Sequence, residues 1–320
     1  MTDELLESYD AIVVGGGAAG LNGALMLARS RRSVAVVDAG APRNAPAEAV
    51  HGLLGHDGTS PADLLARGRE EVRRYAGHVV DGEVTAAATR GDGFLVTLAD
   101  GRRTTARRLL VTTGLVDELP DLPGLSGRWG RDVVHCPYCH GYEVRDRRIA
   151  VLGTGPASYH HALLFRQLSD DVVLVLHDAP EPDDTQARQL ASLGVEVVRA
   201  RATAVEVVDD AIRGLRLDDG SLHRCEVVAV ATRMVARGGF LDHLGLTPVD
   251  HPSGMGVHVP ADPAGVTGVP GVWAAGNVTD LTAQVGASAA AGALAGAHIN
   301  ADLVAAETAA AAGSVPTAHR

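Results

Sequence analysis

Residues 9–20 read YDAIVVGGGAAG, and the reading of this stretch decides the fold. YDAIVV is an apolar run of strand length, and the glycines that end it mark a tight turn. LNGALMLARS (21–30) continues at helical spacing, and SVAVVDAG (33–40) is a second apolar run with Asp38 near its end. Strand, glycine turn, helix, strand is the opening of a dinucleotide-binding unit, with Gly15, Gly17 and Gly20 in the G-x-G-x-x-G positions. The glycines let backbone approach a pyrophosphate, the helix N-terminus favours its negative charge, and the acid accepts a ribose hydroxyl. A lone glycine fingerprint is weak evidence. The strand–helix–strand setting and the acid about 20 residues onward make it specific.

A second unit of the same plan begins in RRIAVLGTGPASYHHALLFRQLSDDVVLVLHDA (147–179). Gly153 and Gly155 hold the first two glycine positions and Ser158 takes the third. Each unit continues into short alternating segments, FLVTLADGRRTTARRLLVTTG (94–114) and AIRGLRLDDGSLHRCEVVAVATR (211–233). Asp100-Gly101 and Asp219-Gly220 are the expected hairpin turns. Both halves therefore repeat one architecture, βαβ followed by a β-meander and a last strand. GVWAAG (271–276) is a further strand, and the Ala- and Gly-rich helix after it is expected to pack back on the first unit. The fold class is α/β, with two nested Rossmann-like domains. The expected layout is a discontinuous domain of residues 1–115 plus 248–320, with residues 116–247 inserted.

A chain of 320 residues suits two domains rather than one core. Its 46% hydrophobic and 21% charged content describes an ordinary globular protein, and with 3% aromatics the core must be built from Ala, Val and Leu. A net charge of −11 argues against nucleic acid as a partner, which wants a basic face. MTDELLESYDAIVVGGG carries acids where a secretory signal carries Lys or Arg, and the C-terminal Ala run is too polar to span a bilayer. A cytoplasmic protein with no membrane partner is expected.

VHCPYCHGYE (134–143) holds Cys136 and Cys139 two residues apart, flanked by His135 and His140. Zinc wants four ligands and there is no second C-x-x-C, so no metal is expected; in the cytoplasm a purely structural disulfide is unusual. A redox-active dithiol remains. The thiolate is the reactive form, and an unperturbed cysteine with a pKa of about 8.5 is mostly protonated at neutral pH. A helix start and neighbouring imidazoles lower that value, and Pro137 suits a first helical turn, where its missing N–H is not needed. Cys225, in RCEVVAV, reads as a buried core thiol, and His160 and His161 as surface or packing residues on the second helix. His51 and His56 sit in the loop VHGLLGHDG (50–58), where histidines are commonly solvated.

With these pieces in order, the chain resembles the low-molecular-weight thioredoxin-reductase family of flavoproteins over nearly its whole length. The resemblance rests on GGGAAG with Asp38, TTG (112–114), CPYC (136–139), and GVWAAGNV (271–278) followed by AQVGASAAAG (283–292). It implies three-layer ββα domains, the first binding FAD and the second NADPH, with the dithiol beside the flavin, and a homodimer. It implies that Gly15, Gly17, Ala18, Ala19, Gly20, Asp38 and Ala39 hold the ADP half of FAD. Thr113, Gly114, Gly276 and Asn277 would then follow its phosphates and ribitol, with Gln284 and Val285 near the ring. The loop of His51 aligns with a flavin-side segment, and DAGAPRNAP (38–46), with Arg43 and Asn44, joins the cofactor set.

Two departures shape the expected activity. Reductases of the family carry an arginine cluster for the 2′-phosphate where this chain reads LVLHDAP (174–180), with His177 and Asp178. An aspartate there disfavours NADPH and leaves either NADH or a vestigial site. The reductases also follow C-x-x-C with Asp, and here the residue is His140. CPYCHG resembles the branch containing the gliotoxin and holomycin dithiol oxidases. That resemblance implies an FAD-dependent oxidase closing a disulfide in a small-molecule dithiol, such as a dithiolopyrrolone, with O2 as acceptor and hydrogen peroxide as product. Cys136 would exchange with substrate, Cys139 would lie nearer the flavin, His140 would be the base, and His135 a second imidazole steadying thiolate. The alternatives are an NAD(P)H-driven thioredoxin reductase and a flavin dithiol redox sensor.

Overall fold

The computed structural model describes residues 3–313; residues 1–2 and 314–320, which fall in the expected first domain, lie outside the described residues. The helices are α1 (Ala18–Arg29), α2 (Pro61–Arg74), α3 (Pro137–His140), α4 (Ser158–Arg166), α5 (Asp184–Ser192) and α6 (Val285–Gly313). The chain separates into two compact units. One comprises the described residues of Met1–Ala45, Thr59–Val116 and Met234–Arg320, the other Pro46–Gly58 and Asp117–Arg233.

Two segments depart from the expected layout. Residues 234–247 belong with the first unit, because Ala236, Leu241 and Leu246 are buried in its core beside Ile12, Val84 and Val259. Residues 46–58 belong with the second, where Pro46 packs against Gly130 and His51 meets Glu143.

The first unit is built on a seven-stranded sheet in the order His78–Asp81, Val34–Asp38, Ser8–Val14, Arg103–Val111, Gly93–Leu98, Val84–Arg90, with Val272–Ala274 also paired to Arg103–Val111. Ser8–Val14 runs parallel to both neighbours, while Gly93–Leu98 runs antiparallel and closes the meander through the Asp100-Gly101 turn. Val14 stands opposite Val37 and Val111, and Val111 opposite Ala274. The next residues, Gly15, Asp38, Thr112 and Ala275, therefore leave the sheet together at its carboxyl edge, where ligands of open α/β sheets bind. Ile12 and Val14 face one core and Ala11 and Val13 the other. Burial on both faces is why the strand reads as an unbroken apolar run.

Helix α6 packs on α1 at backbone contact. A Cβ on Gly292 would stand 1.9 Å from the Ala19 carbonyl oxygen, and one on Gly296 2.5 Å from that of Gly23. The Ala- and Gly-rich composition of α6 is thus a packing requirement.

In the second unit, five parallel strands run in the order Glu196–Val198, Val172–Val175, Ile149–Leu152, Val227–Val230, Val133–Val134, beside an antiparallel meander of Ala202–Val208, Ala211–Leu217 and Leu222–Arg224. Ahead of Val133 a buried clamp forms: Arg128 donates to both carboxylate oxygens of Asp132 at 2.7 and 2.6 Å, and Asp132 also accepts from the Ile212 N–H. The clamp fixes the strand that delivers His135 and Cys136.

Gly292→Ala tests the helix contact. Alanine gains about 1 kcal/mol of helix propensity, but overpacking against a backbone carbonyl costs about 1–3 kcal/mol or more. We expect a lower Tm for the variant; a Tm at or above wild type would show that α1 and α6 separate freely.

Candidate functional site

Cys136 and Cys139 are joined as a disulfide, with Cα atoms 5.3 Å apart. They open α3, a single turn with Cys136 at the N-cap and Pro137 in the first turn. The Cys139 N–H points at Cys136 Sγ, 3.2 Å away, so negative charge on Cys136 gains a hydrogen bond. Cys136 is half-buried and Cys139 exposed. Tyr138 and Tyr142, on either side of Cys139, are 68% and 65% exposed, so the dithiol turn presents aromatic surface.

His140 ends α3 and is half-buried. Burial pushes it below its ordinary value near 6.5; Glu143 and Glu48 act against the shift and His51 with it. It is neutral, and so able to accept a proton, at neutral pH. His51 lies in the same unit, its Nδ1 3.3 Å from Asp57 and its Nε2 3.4 Å from Glu143. The structure thus sets His51 among acids of the unit that carries the dithiol turn. His135 donates from Nδ1 to the Val230 carbonyl at 3.0 Å. Cys225 is buried and its thiol is pushed up to about 12 by that burial, which makes it an inert core residue.

His161 takes the packing alternative of its surface-or-packing reading. It is buried, and its Nε2 donates to the His135 carbonyl at 2.6 Å. A signal exists: Ser158, His161, Ala162 and Phe165 fall at i, i+3, i+4 and i+7, the buried stripe of α4.

The second glycine turn is close-packed at Gly153, where a Cβ would meet the Leu176 carbonyl oxygen at 2.4 Å, and open at Gly155. Like α1, helix α4 carries no side-chain cap. Thr154 N–H is bonded to the buried Ser158 hydroxyl at 3.1 Å, and Pro156 has none. Asp178 is paired with Arg201 and His177. The arginine absent from LVLHDAP therefore arrives 23 residues later, just ahead of the strand Ala202–Val208, with its charge already engaged by the aspartate.

The first glycine turn is packed more closely. Gly15 has φ +106° and lies against Thr112; a Cβ on Gly20 would meet the Gly15 carbonyl oxygen at 1.9 Å. Nothing stands within 4 Å of a Cβ on Gly17. Gly17 is the N-cap of α1, and no side chain caps that helix. Bare amides beside open space fit a pyrophosphate. Asp38 and Ala39 line a depression of about 290 Å³ together with Gly40, Asp81, Gly82 and Glu83. Asp38 is held there by Arg69 at 2.6 Å and by the Gly40 N–H, so an anionic dinucleotide with its ribose against Asp38 fits the residues present.

The remaining expected cofactor residues are placed as follows. Ala18 and Ala19 form the first turn of α1, and Arg43 and Asn44 lie half-buried in a turn beyond Asp38. Thr113 donates its hydroxyl to the Arg237 carbonyl, Gly114 follows with φ +67°, and Gly276 has φ +80° against Ala19. Gln284 is exposed and precedes Val285, the first residue of α6. Asn277 donates its amide to the carbonyls of Asp280, Leu281 and Ala283, at 3.1, 3.4 and 2.8 Å, so it shapes the loop entering α6. Thr112, part of the TTG motif but not of the expected cofactor set, bonds through its hydroxyl to the carbonyls of Val14 and Gly15.

The model of the pyridine nucleotide-disulphide oxidoreductase family matches residues 9–297. Thioredoxin reductase tcpT of Claviceps purpurea is 32% identical over 292 residues, covering 84% of this chain and 86% of that protein. Thioredoxin reductase sirT of Leptosphaeria maculans is 30% identical over 319 residues, covering 94% and 96%. The crystal structure of HlmI superposes with a TM-score of 0.90 at 43% identity over 98% of each chain. These likenesses bear out the resemblance drawn from the motifs and the α/β fold expected from them.

Asn277→Asp would set a carboxylate, which cannot donate, against three carbonyl oxygens. A loss of about 1–3 kcal/mol is expected, read as a lower midpoint in denaturant melts together with weaker FAD retention. An unchanged midpoint would mean that the loop holds without those bonds.

Proposed function

The chain belongs to the pyridine nucleotide-disulphide oxidoreductase family, and on that premise we propose that it is a dithiol oxidase, closing a disulfide in a small-molecule dithiol with oxygen as final acceptor. It is an FAD-binding oxidoreductase of disulfide chemistry. The observation that carries the oxidase reading lies at the position of the missing arginine cluster. Asp178 stands where a 2′-phosphate would need cations, and the arginine that comes near, Arg201, is bonded to that aspartate. Electrons then enter from the substrate dithiol and not from a nicotinamide.

A substrate thiolate attacks Cys136, forms a mixed disulfide and releases Cys139 as thiolate. The second substrate thiol, deprotonated by His140, attacks the substrate sulfur of that mixed disulfide and displaces Cys136. The Cys139 N–H directed at Cys136 Sγ stabilises the departing thiolate. The sum is one substrate disulfide formed, one enzyme disulfide reduced, and two protons released to His140 and solvent. Bound FAD, held by Gly15, Gly17, Gly20 and Asp38, would supply the two-electron acceptor for the enzyme dithiol, with oxygen as the final acceptor and hydrogen peroxide as its product. A homodimer and a secondary-metabolite substrate belong to the same proposal.

The second reading, a nicotinamide-driven reductase, is favoured by the names that tcpT and sirT carry. Anaerobic mixing separates the two. Dithiothreitol is expected to bleach the flavin absorbance, with NADH and NADPH inert over the same interval. Air should then restore the colour with formation of peroxide. Rapid bleaching by either nicotinamide would replace the oxidase reading with the reductase one.

The Cys139→Ser variant should trap substrate as a mixed disulfide on Cys136, detectable by mass; an adduct formed only by Cys136→Ser would reverse the roles of the sulfurs. His140 carries the pH dependence. A base must be unprotonated, and burial shifts its titration below 6.5, so the acid limb of kcat lies below that pH. His140→Gln should remove the limb and slow turnover about 100-fold. An acid limb unchanged in the variant would exclude His140 as the base.

A further inference from the structure

We propose that His161 is a positioning residue of the dithiol, holding the peptide that leads into Cys136 so that the reduced cysteines stay poised to close. The proposal rests on the dithiol reading of Cys136 and Cys139 and is independent of the electron acceptor.

His161 sits on the buried stripe of α4, where an apolar side chain would satisfy packing. The imidazole instead stacks edge-on against Phe165, with ring centroids 5.0 Å apart, and 5.8 Å from the ring of His135. Its Nε2–H is bonded to the His135 carbonyl at 2.6 Å, while its Nδ1 is buried with no hydrogen-bond partner. A core side chain that leaves one polar atom unpaired carries a penalty that Leu or Met would not, so the bond made by the other nitrogen accounts for its presence. Burial pushes its pKa down to about 4, with His135 and His160 acting the same way and the bond to the His135 carbonyl opposing. The ring is therefore a neutral donor throughout the working pH range.

The carbonyl it holds belongs to the residue before Cys136. Helix α3 is one turn of four residues, too short to persist by itself. While the disulfide is closed, the covalent bond keeps the turn. Once it is reduced, the flanking chain must do so. His135 has two such anchors: its Nδ1–H on the Val230 carbonyl and its own carbonyl under His161. Removing His161 frees the second, lowers the effective concentration of one thiol for the other, and shifts the pair toward the dithiol form. The second nucleotide-type unit thus has a use that needs no nucleotide: α4 delivers His161 to the dithiol.

The test equilibrates the FAD-loaded protein anaerobically with reduced and oxidised glutathione and counts free thiols after acid quench. Closing the protein disulfide consumes one glutathione disulfide and releases two glutathione thiols, so electrons balance without oxygen. His161→Leu is expected to lower this equilibrium constant about 10-fold. His161→Gln, whose amide can donate to the same carbonyl, should stay within about 3-fold of wild type. His160→Leu, at an exposed neighbour, should be unchanged. If His161→Leu fails to fold, His161→Met takes its place. A wild-type constant in the apolar variant overturns the proposal, as does an equal fall in the Leu and Gln variants. Because no oxygen or nicotinamide enters the measurement, its outcome is separate from that of the flavin bleaching.

Discussion

A side chain at position 20 would have to occupy the place of the Gly15 carbonyl, and one at position 292 that of the Ala19 carbonyl. The first unit depends on this closeness. Helix α1 lies nearer to its strand and to α6 than any Cβ permits, and that proximity brings its uncapped N-terminus to the carboxyl edge of the sheet. Register does the rest. With Val14, Val37, Val111 and Ala274 level, the glycine turn, Asp38, Thr112 and the Ala275-Gly276 corner emerge side by side. The cradle for FAD is what the sheet's edge becomes when the helices are allowed this near.

The same topology recurs in the second unit with one amide of its turn bonded to a side chain. Where Gly20 admits a helix against a carbonyl, Ser158 puts a hydroxyl into the turn and bonds Thr154. Asp38 is paired with Arg69, and Asp178 with Arg201. Architecture therefore says little about occupancy until the donors are followed one by one.

What was legible in the sequence is what depends on neighbours along the chain. The glycine turns, the Asp100-Gly101 and Asp219-Gly220 hairpins, and the Cys136-Pro137 helix start follow from backbone preferences within a few residues. The features that were not legible are contacts between distant segments. Arg201 reaches Asp178 from 23 residues along the chain, residues 46–58 settle with the dithiol unit, and residues 234–247 with the first core. Asn277 shows a different limit: its motif position suggests a cofactor ligand, but only the structure shows its amide turned to three loop carbonyls. His161 was readable as a stripe position, and the carbonyl it serves was not.

The placement of residues 46–58 has a chemical consequence. His51, Asp57, Glu143 and His140 share one unit with both cysteines. In the proposed oxidase, the protons that a dithiol sheds on closing would find His140 and His51 in the unit that carries the cysteines. Sulfur exchange would then have a proton inventory of its own, and a solvent isotope effect on it need not appear in the oxygen half-reaction.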